Sequence, residues 1–233
     1  MEEEERGQGE RYEVGLHTWP ATDALANYLS INRSLFQDKC VLELGSGATG
    51  VCGIVAAKSG ARRVYCTDAD KTDSMLARLK KNLDLNDVSE QCTIRTLDWA
   101  IEESLEKFIV SIGEQQIDWI IGSDIFFDPA VFLPLMQTLG KLLSKYPKAQ
   151  LIFSFEKRDS SWSLEEFLAP LGLAASLVRS KEESGKTIEI GVIYRNREQK
   201  IVAGVEGGAS FTRLVLLRAE DGTEIQSYKM KQV

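Results

Sequence analysis

The sequence predicts one α/β domain whose mostly parallel, seven-stranded sheet has helices on both faces. From residue 39 onward, short apolar runs alternate with amphipathic segments of helical period. Residues 117–124 are almost continuously apolar, which is typical of a central strand covered on both faces. The short turn at residues 184–186 joins the last two strands, so we expect the last strand to be antiparallel.

Each element is justified by a local pattern. Apolar and β-branched runs predict strands at residues 39–45, 61–68, 92–99, 117–124, 149–156, 173–180 and 187–194. Apolar residues at helical spacing predict helices at residues 49–59, 70–85 and 130–145, and a short helix beginning within Ser163–Leu168. A further helix begins near Thr18 or Trp19, because Pro20 is tolerated in a first turn.

The chain divides into an acidic tail, one domain and an extension. Residues 1–11 are rich in glutamate and predict a disordered tail, residues 12–198 form the domain, and residues 199–233 form an extension. Within the extension, residues 211–230 predict a β-hairpin. The start of the chain does not resemble a signal peptide, and no apolar run approaches the roughly 18 residues of a membrane span.

Composition and charge restrict the partners. The chain has 233 residues, 43% of them hydrophobic, and a formal net charge of −7. This charge argues against binding to a nucleic-acid backbone and is compatible with a basic protein partner. The cysteines are spaced for neither a metal site nor a disulfide framework, which predicts reduced core thiols, no metal, and a cytoplasmic or nuclear location. They are Cys40, Cys52, Cys66 and Cys92.

A glycine-rich loop follows the first predicted strand. The segment L-E-L-G-S-G-A-T-G matches G-x-G-x-x-G at Gly45, Gly47 and Gly50, between a strand and a helix. It indicates a nucleotide site at the carboxyl end of a parallel sheet, although a tight turn alone also needs glycine. Glu43 would repel a pyrophosphate but suits a cation, so the loop favours S-adenosylmethionine, with its ammonium and sulfonium, over NAD.

Other residues at strand ends have two interpretations each. Asp68 closes the second strand and is placed to bind ribose hydroxyls or to cap the next helix. Trp99 ends the third strand and suits either stacking on adenine or core packing. Trp19 covers the cofactor or only packs on its own helix, and the single histidine, His17, is interpreted as a surface or packing residue.

The fourth strand ends in S-D-I-F-F-D-P, residues 123–129. Two carboxylates, Asp124 and Asp128, flank two phenylalanine rings, Phe126 and Phe127, at an edge where ligands bind in parallel sheets. Both acids could also cap the helix that follows, and for Asp128 the two interpretations are equally good.

Together these motifs resemble a family. The segments H-T-W-P-A (17–21), L-E-L-G-S-G-A-T-G (42–50), C-T-D (66–68), L-D-W (97–99) and S-D-I-F-F-D-P are similar to the Rossmann-like, seven-strand methyltransferase-like proteins of family 16. The similarity covers about residues 12–195 and implies S-adenosylmethionine-dependent protein methylation. It implies cofactor contacts at Trp19, Gly45, Ser46, Gly47, Asp68, Trp99 and Ser123, and an acid-x-x-aromatic motif at Asp124 and Phe127. Many relatives have tyrosine where this chain has Phe127.

The chemistry predicts an apolar slot for an amine or a guanidinium. A lysine acceptor with a pKa near ~10.4 must lose a proton before methyl transfer. Aromatic walls from Phe126 and Phe127 would disfavour the charged amine, and Asp124 would align it. A guanidinium would instead bind carboxylates in a fork, for which Asp124, Asp128 and Glu156 are candidates.

Three functions compete at this point. The resemblance favours a protein methyltransferase acting on lysine or arginine, including histone arginine. A nucleic-acid or small-molecule methyltransferase ranks lower, because Ile125 and Phe126 stand where base-methylating enzymes often have two prolines. A non-catalytic binding protein with the same fold is the third. An NAD enzyme is disfavoured by Glu43 and by the lack of hydride-handling residues.

Overall fold

Seven strands form a single sheet in the order β3-β2-β1-β4-β5-β7-β6. The computed structural model describes residue 15 and residues 17–69, 73–159, 162–183 and 185–196. The strands are β1 (Cys40–Leu44), β2 (Arg63–Asp68), β3 (Cys92–Thr96), β4 (Trp119–Ser123), β5 (Gln150–Glu156), β6 (Leu173–Glu183) and β7 (Lys186–Arg195). Strands β1 to β5 pair in parallel, whereas β7 runs antiparallel to both β5 and β6. The predicted antiparallel last strand is therefore confirmed.

Helices cover both faces of the sheet, as predicted. They are α1 (Pro20–Ile31), α2 (Val51–Lys58), α3 (Asp73–Leu85), α4 (Glu102–Ile112), α5 (Pro129–Lys145) and α6 (Glu165–Leu168), with 3₁₀ turns at Arg33–Leu35 and Ala169–Leu171. Side chains of α1, α2 and α3 form one apolar core with the sheet, and those of α4, α5 and α6 form another. The strands serve both cores because successive side chains alternate in direction: Leu42 and Leu44 face the second core, whereas Val41 faces the first.

The helix α4 is absent from the sequence prediction. Its buried residues Leu105, Phe108 and Ile112 lie three and four positions apart, which is the helical signal that the prediction overlooked. The third strand is also shorter than predicted. It ends at Thr96, so Asp98 and Trp99 belong to the connection between β3 and α4.

Strand β1 lies at the point where the strand order reverses. Its chain continues to β2 on one side, and β4 on its other side continues to β5, farther from β1. The connections after β1 and β4 therefore leave in opposite directions, which opens a crevice at the carboxyl ends of the two strands. The fold puts the glycine loop and the S-D-I-F-F-D-P segment on the two sides of this crevice.

Helix α1 is attached to the carboxyl ends of the central strands. Trp19 is its N-cap residue and Pro20 is in its first turn, as predicted. The buried Ser154 hydroxyl on β5 donates a hydrogen bond of 2.6 Å to the Ala21 carbonyl. The hydroxyls of Thr22 on α1 and Ser123 on β4 lie 3.1 Å apart and form a second link. These bonds place Trp19 beside the crevice.

The four cysteines are buried and unpaired, as predicted. The predicted acidic tail of residues 1–11 and the predicted hairpin of residues 211–230 lie outside the described residues. Within the ranges that the structure describes, no helix is long and apolar enough to span a bilayer.

The attachment of α1 to β5 predicts a modest stability effect. Ser154→Ala removes a buried donor to the Ala21 carbonyl, and we expect it to lower the free energy of unfolding by about 1 kcal/mol. Urea titration followed by circular dichroism measures this change. Ser30→Ala is the control, because Ser30 makes a similar bond to Asn27 on the exposed side of α1 and its loss should change stability by less than about 0.5 kcal/mol. Equal effects for the two variants would show that the Ser154 bond does not stabilise the docking of α1.

Candidate active site

A cavity of about 310 Å³ occupies the crevice. Its walls combine the carboxyl ends of β1, β2 and β4 with the connection after β3 and the start of α5. The structure brings every residue predicted to contact the cofactor to this cavity: Trp19, Glu43, Gly45, Ser46, Gly47, Asp68, Trp99 and Ser123. Of the residues predicted for the acceptor, it brings Asp124, Phe127 and Asp128 but neither Phe126 nor Glu156. A ligand in this cavity would contact residues that are distant in the sequence.

The glycine loop has a conformation that requires glycine. Gly45 has φ +68° and Gly47 has φ +58°, in the left-handed region that disfavours side chains. A Cβ at Gly47 would lie 2.8 Å from the carbonyl oxygen of Gly15, and one at Gly45 would lie 3.1 Å from the Ile125 side chain and touch the Trp99 ring at 3.4 Å. The loop therefore brings bare backbone to the cavity wall.

Glu43 is a buried carboxyl group beneath this loop. Its side chain is 2% exposed and accepts a hydrogen bond of 2.7 Å from the Ser46 hydroxyl. Burial raises the pKa of Glu43 to about 7, and the nearby Asp68 charge adds to the rise, whereas the hydrogen bond from Ser46 opposes it. The sequence placed a negative charge here. The structure shows a carboxyl group that favours its neutral form more strongly than an exposed glutamate would.

Asp68 connects the second strand to the glycine loop. Its carboxylate accepts hydrogen bonds from the backbone N–H of Gly47 at 2.7 Å and of Ala69 at 2.8 Å. Helix α3 begins at Asp73, so Asp68 is not its N-cap residue. The carboxylate shapes the loop and also lines the cavity. This position is compatible with the predicted contact between Asp68 and a ribose hydroxyl.

Trp99 presents an unsatisfied donor beside the cavity. Its indole ring edge lies against Gly45, and within the described part of the chain its buried Nε1 has no hydrogen-bond partner. A buried donor without an acceptor is costly, so a ligand that offers one would be stabilised here.

Asp124 follows β4 in a left-handed backbone conformation with φ +51°. The residue is 6% exposed, and its carboxylate accepts two hydrogen bonds from the Arg158 guanidinium, at 3.0 Å to Oδ1 and 2.6 Å to Oδ2. The backbone N–H of Glu156 donates a third, to Oδ1, at 3.3 Å. The sequence interpretation left the carboxylate available to the acceptor, but the structure shows it already bound in a fork by an internal arginine.

Asp128 caps a helix, as one of its two interpretations predicts, and its position is compatible with the other, a contact with the acceptor. It is the N-cap of α5, where its side chain accepts a hydrogen bond of 2.9 Å from the Ala130 N–H, and it also lines the cavity. A single carboxylate can do both because it has about four acceptor sites.

The two phenylalanine rings of the motif have different environments. Phe127 is half-buried and lines the cavity. Phe126 is 1% exposed and packs edge-on against Phe132 and Phe153 in the core. The prediction that Phe126 forms a wall of the substrate slot does not agree with this position. Asp124, in its left-handed conformation, redirects the chain, and the side chain of Phe126 points into the core.

Glu156 is also displaced from its predicted role. Its side chain pairs with Lys186 at 3.0 Å, and only its backbone N–H reaches Asp124. The charged side chain that does reach Asp124 from this strand end is Arg158. The sequence predicts Glu156 at this strand end, whereas the structure brings Arg158 to Asp124. Strand alternation does not determine where the chain runs after the strand ends, so it could not indicate Arg158.

Several further cavity residues were not predicted. They include His17, Thr22, Met75, Ile125, Val131 and Pro134. His17 was interpreted as a surface or packing residue, yet it lies at the cavity. Its position two residues before Trp19, itself a predicted contact, was the available signal.

Solved structures with the same architecture are methyltransferases and related proteins. A structure from Pyrococcus horikoshii superposes with a TM-score of 0.55 at 18% identity, covering 79% of this chain and 88% of that one. Precorrin-6y C5,15-methyltransferase of Geobacter metallireducens superposes with a TM-score of 0.50 at 13% identity, covering 72% and 85%. At these identities the likeness shows the fold alone. The fold is thus the Rossmann-like methyltransferase fold that the sequence predicts.

The chain belongs to the family described as lysine methyltransferase, whose sequence model matches residues 3–171. It is 34% identical over 156 residues to histone-arginine methyltransferase METTL23 of Mus musculus, which covers 67% of this chain and 58% of the relative. It is 32% identical over 164 residues to protein-lysine N-methyltransferase EFM3 of Chaetomium thermophilum, covering 68% and 47%. The chain therefore spans less than two thirds of the length of these relatives. The segments 123–129 and 159–168 predict a similarity to methyltransferase-like protein 23, and this prediction is confirmed.

The residues present fit S-adenosylmethionine, the cofactor that the fold implies. The Nε1 of Trp99, without a partner in the described residues, is a donor that a ligand with an acceptor atom would satisfy, and the positive-φ glycines leave space for backbone contact. Glu43 and Asp68 provide carboxyl groups for a cationic ligand with ribose hydroxyls.

The different environments of the two rings predict unequal losses of stability on truncation. Phe126→Ala should lower the free energy of unfolding by about 3–5 kcal/mol, because it empties a buried ring position. Phe127→Ala should cost about 1 kcal/mol and leave the fold intact, because that ring borders the cavity. Thermal and urea unfolding of both variants measure these changes. Comparable losses would mean that both rings belong to the core.

The raised pKa of Glu43 predicts proton release on ligand binding. At about pH 6 the buried carboxyl is mostly protonated in the free protein, because its folded pKa is about 7 and its ordinary value is 4.5. A bound cation stabilises the carboxylate and lowers this pKa, so S-adenosylmethionine should release up to about one proton. Titration calorimetry in buffers of different ionisation enthalpy measures the number.

Glu43→Gln is the control for this prediction. It should bind without the release, and it should also remove a pH dependence of stability. In the native protein the folded carboxyl holds its proton to higher pH than the unfolded one, so this group lowers the free energy of unfolding as pH rises from about 4.5 to about 7. Equal proton release by both proteins would assign the titration to another group.

Proposed function

We propose that this protein transfers a methyl group from S-adenosylmethionine to a lysine or arginine side-chain nitrogen of a protein substrate. The observation that carries the proposal is one cavity in which the glycine loop and Trp99 meet the Asp124–Asp128 segment. Cofactor and acceptor contacts on facing walls are the requirement for an in-line displacement. Family membership and the names of the relatives support the same reaction.

The cofactor supplies a methyl group on a sulfonium, whose bonding electron pair returns to sulfur when the acceptor nitrogen forms the new bond. The protein has to align the nitrogen lone pair with that group and accept or pass on the acceptor's proton. Electrostatic and positional effects are sufficient for this task, and no side chain needs to form a covalent intermediate.

The residues on the sheet side are assigned to the cofactor. Gly45 and Gly47 would let the cofactor approach the backbone closely, and Asp68 would bind a ribose hydroxyl while it accepts the Gly47 N–H and so fixes the loop. Trp99 would contact the adenine, and its Nε1, which lacks a partner in the described part of the chain, would be available as a donor. Trp19 and Ser123 close the opposite side, and Glu43 interacts with its cationic part across the loop.

The residues after β4 are assigned to the acceptor. Phe127 supplies an apolar wall and a π face that suits the stem and head of a cationic side chain. Asp124 and Asp128 supply carboxylates that can accept a hydrogen bond from the acceptor nitrogen. Because Phe127 has no hydroxyl, this wall acts by packing rather than by hydrogen bonding.

The substrate class follows from the relatives and from charge. The names of the relatives refer to histone arginine and to protein lysine, and the formal net charge of −7 favours a basic protein partner. Methylation of nucleic acid is less well supported, since Phe126, at a position where base-methylating enzymes often have proline, is buried in the core rather than presented to a base. Such substrates would be met in the cytoplasm or the nucleus, and we propose this location.

Substitution of Asp124 tests the proposal. With radiolabelled S-adenosylmethionine, histones and whole-cell lysate, the native protein should label a protein band, and mass spectrometry should locate the methyl group on lysine or arginine. Asp124→Asn should lower the rate about 10²-fold or more while cofactor affinity, measured by calorimetry, stays within about twofold. Asparagine tolerates the left-handed backbone, so the variant changes charge and keeps shape.

Asp87→Asn is the matched control, because Asp87 also has a positive φ, of +55°, and its side chain is exposed away from the cavity. It should leave transfer unchanged. Native rates in Asp124→Asn would remove Asp124 from the acceptor site. A native protein that does not bind S-adenosylmethionine would overturn the proposed function itself.

A further inference from the structure

We propose that Arg158 is a positioning residue of the acceptor site, which fixes the Asp124 carboxylate and the Trp19 ring relative to each other and offsets the charge of Asp124. The proposal rests on the proposed methyl transfer, and it adds a residue that neither the cavity walls nor the sequence motifs contain. Arg158 lies two residues beyond β5 and approaches Asp124 from outside the cavity.

The contacts of Arg158 join three elements. Its guanidinium forms a two-bond fork with Asp124, the residue after β4, and its Cζ lies 6.0 Å from the ring centre of Trp19, the N-cap of α1. Both of these partners line the cavity. An arginine suits this geometry because its planar head binds a carboxylate through two N–H groups while one face stays open to an aromatic ring.

The fork determines how the carboxylate can be used. A carboxylate has about four acceptor sites, and Arg158 and the Glu156 N–H occupy three of those on Asp124. One site, on Oδ2, is left by these bonds. The fork fixes the orientation of the carboxylate plane and therefore the direction of the remaining Oδ2 lone pair. Arg158 thus determines where the N–H of the substrate's acceptor nitrogen can form a hydrogen bond with Asp124.

Charge gives Arg158 a second effect. The Asp124 side chain is 4% exposed. A buried carboxylate without a partner would attract the acceptor side chain of the substrate and would stabilise the charged, protonated form of that acceptor. Methyl transfer needs a nitrogen with an available lone pair. Pairing with Arg158 keeps Asp124 as a hydrogen-bond acceptor while reducing its tendency to hold the acceptor in its charged form.

Kinetics of Arg158 variants test this proposal in the full-length protein. Arg158→Ala should lower kcat about 10- to 100-fold, as expected when the partner that orients a functional group is lost. The KM for a basic peptide substrate should stay unchanged or fall, because the bare carboxylate attracts cations more strongly. Arg158→Lys keeps the charge and loses the fork, so its kcat should lie between those of the native protein and Arg158→Ala. A merely structural defect would raise KM or reduce the folded fraction.

Two further measurements separate positioning from general damage. Guanidinium chloride at low concentration, compared with sodium chloride at equal ionic strength, should restore part of the lost kcat in Arg158→Ala and leave the native protein unchanged. In the Asp124→Asn background, Arg158→Ala should reduce kcat by less than about twofold further, because Arg158 acts through Asp124. Arg195→Ala is the matched control, since Arg195 makes an exposed bond of 2.7 Å to Ser144 and should affect none of these values.

Failure of the Arg158 role and failure of the proposed function give different results in these experiments. If the native protein transfers no methyl group, the proposed function fails first. If the native protein is active and Arg158→Ala is equally active, the role of Arg158 is wrong and the proposed function stands. A rise in activity in Arg158→Ala, or inhibition of the native protein by guanidinium, would overturn the proposal by showing that Arg158 competes with the substrate for Asp124.

Discussion

The parallel pairing of β1 with β4 is the constraint on which the rest of the site depends. Because β1 continues outward to β2 and β4 continues outward to β5, the connections that follow these two strands leave the carboxyl ends of the pair in opposite directions. The glycine loop after β1 and the Asp124 segment after β4 therefore face each other across an open crevice. Helix α1 closes one side through its bonds to Ser154 and Ser123. The strand order, rather than any single residue, therefore creates the cavity.

The fold treats three carboxyl groups around the cavity in three ways. It buries Glu43 beneath the loop, which raises the pKa of that carboxyl to about 7. Two backbone N–H groups bind Asp68. It pairs Asp124 with a guanidinium. Burial without a cation favours the neutral form, whereas hydrogen bonds and an opposite charge favour the carboxylate. One cavity therefore combines a buried acid whose pKa is raised with two carboxyl groups that N–H donors already bind, which suits a cationic cofactor and an acceptor that must give up a proton.

Much of the fold could be predicted because period and composition are local signals. Apolar runs of strand length gave all seven strands, and the 184–186 turn gave the antiparallel end of the sheet. Helix α4 was missed because its three buried residues lie among charged ones, which obscured the pattern around Leu105, Phe108 and Ile112. The length of β3 was overestimated because Leu97 and Trp99 continue an alternating apolar pattern beyond Thr96, the last residue of the strand. Leu97 packs in the core without belonging to the strand.

The site was predictable to the extent that ligands bind at the carboxyl ends of parallel strands. That rule, together with the family resemblance, placed Gly45, Asp68 and Asp124 at one edge, and the cavity contains all three. By itself, the sequence determined which residues reach this edge, since each strand has a fixed end and a fixed alternation. Only the tertiary structure decided which side chains meet there, because φ at Asp124 turns Phe126 into the core and because the chain beyond β5 brings Arg158, rather than Glu156, to the buried carboxylate. Contacts of this kind join residues 34 positions apart, and no local pattern contains the loop geometry that forms them.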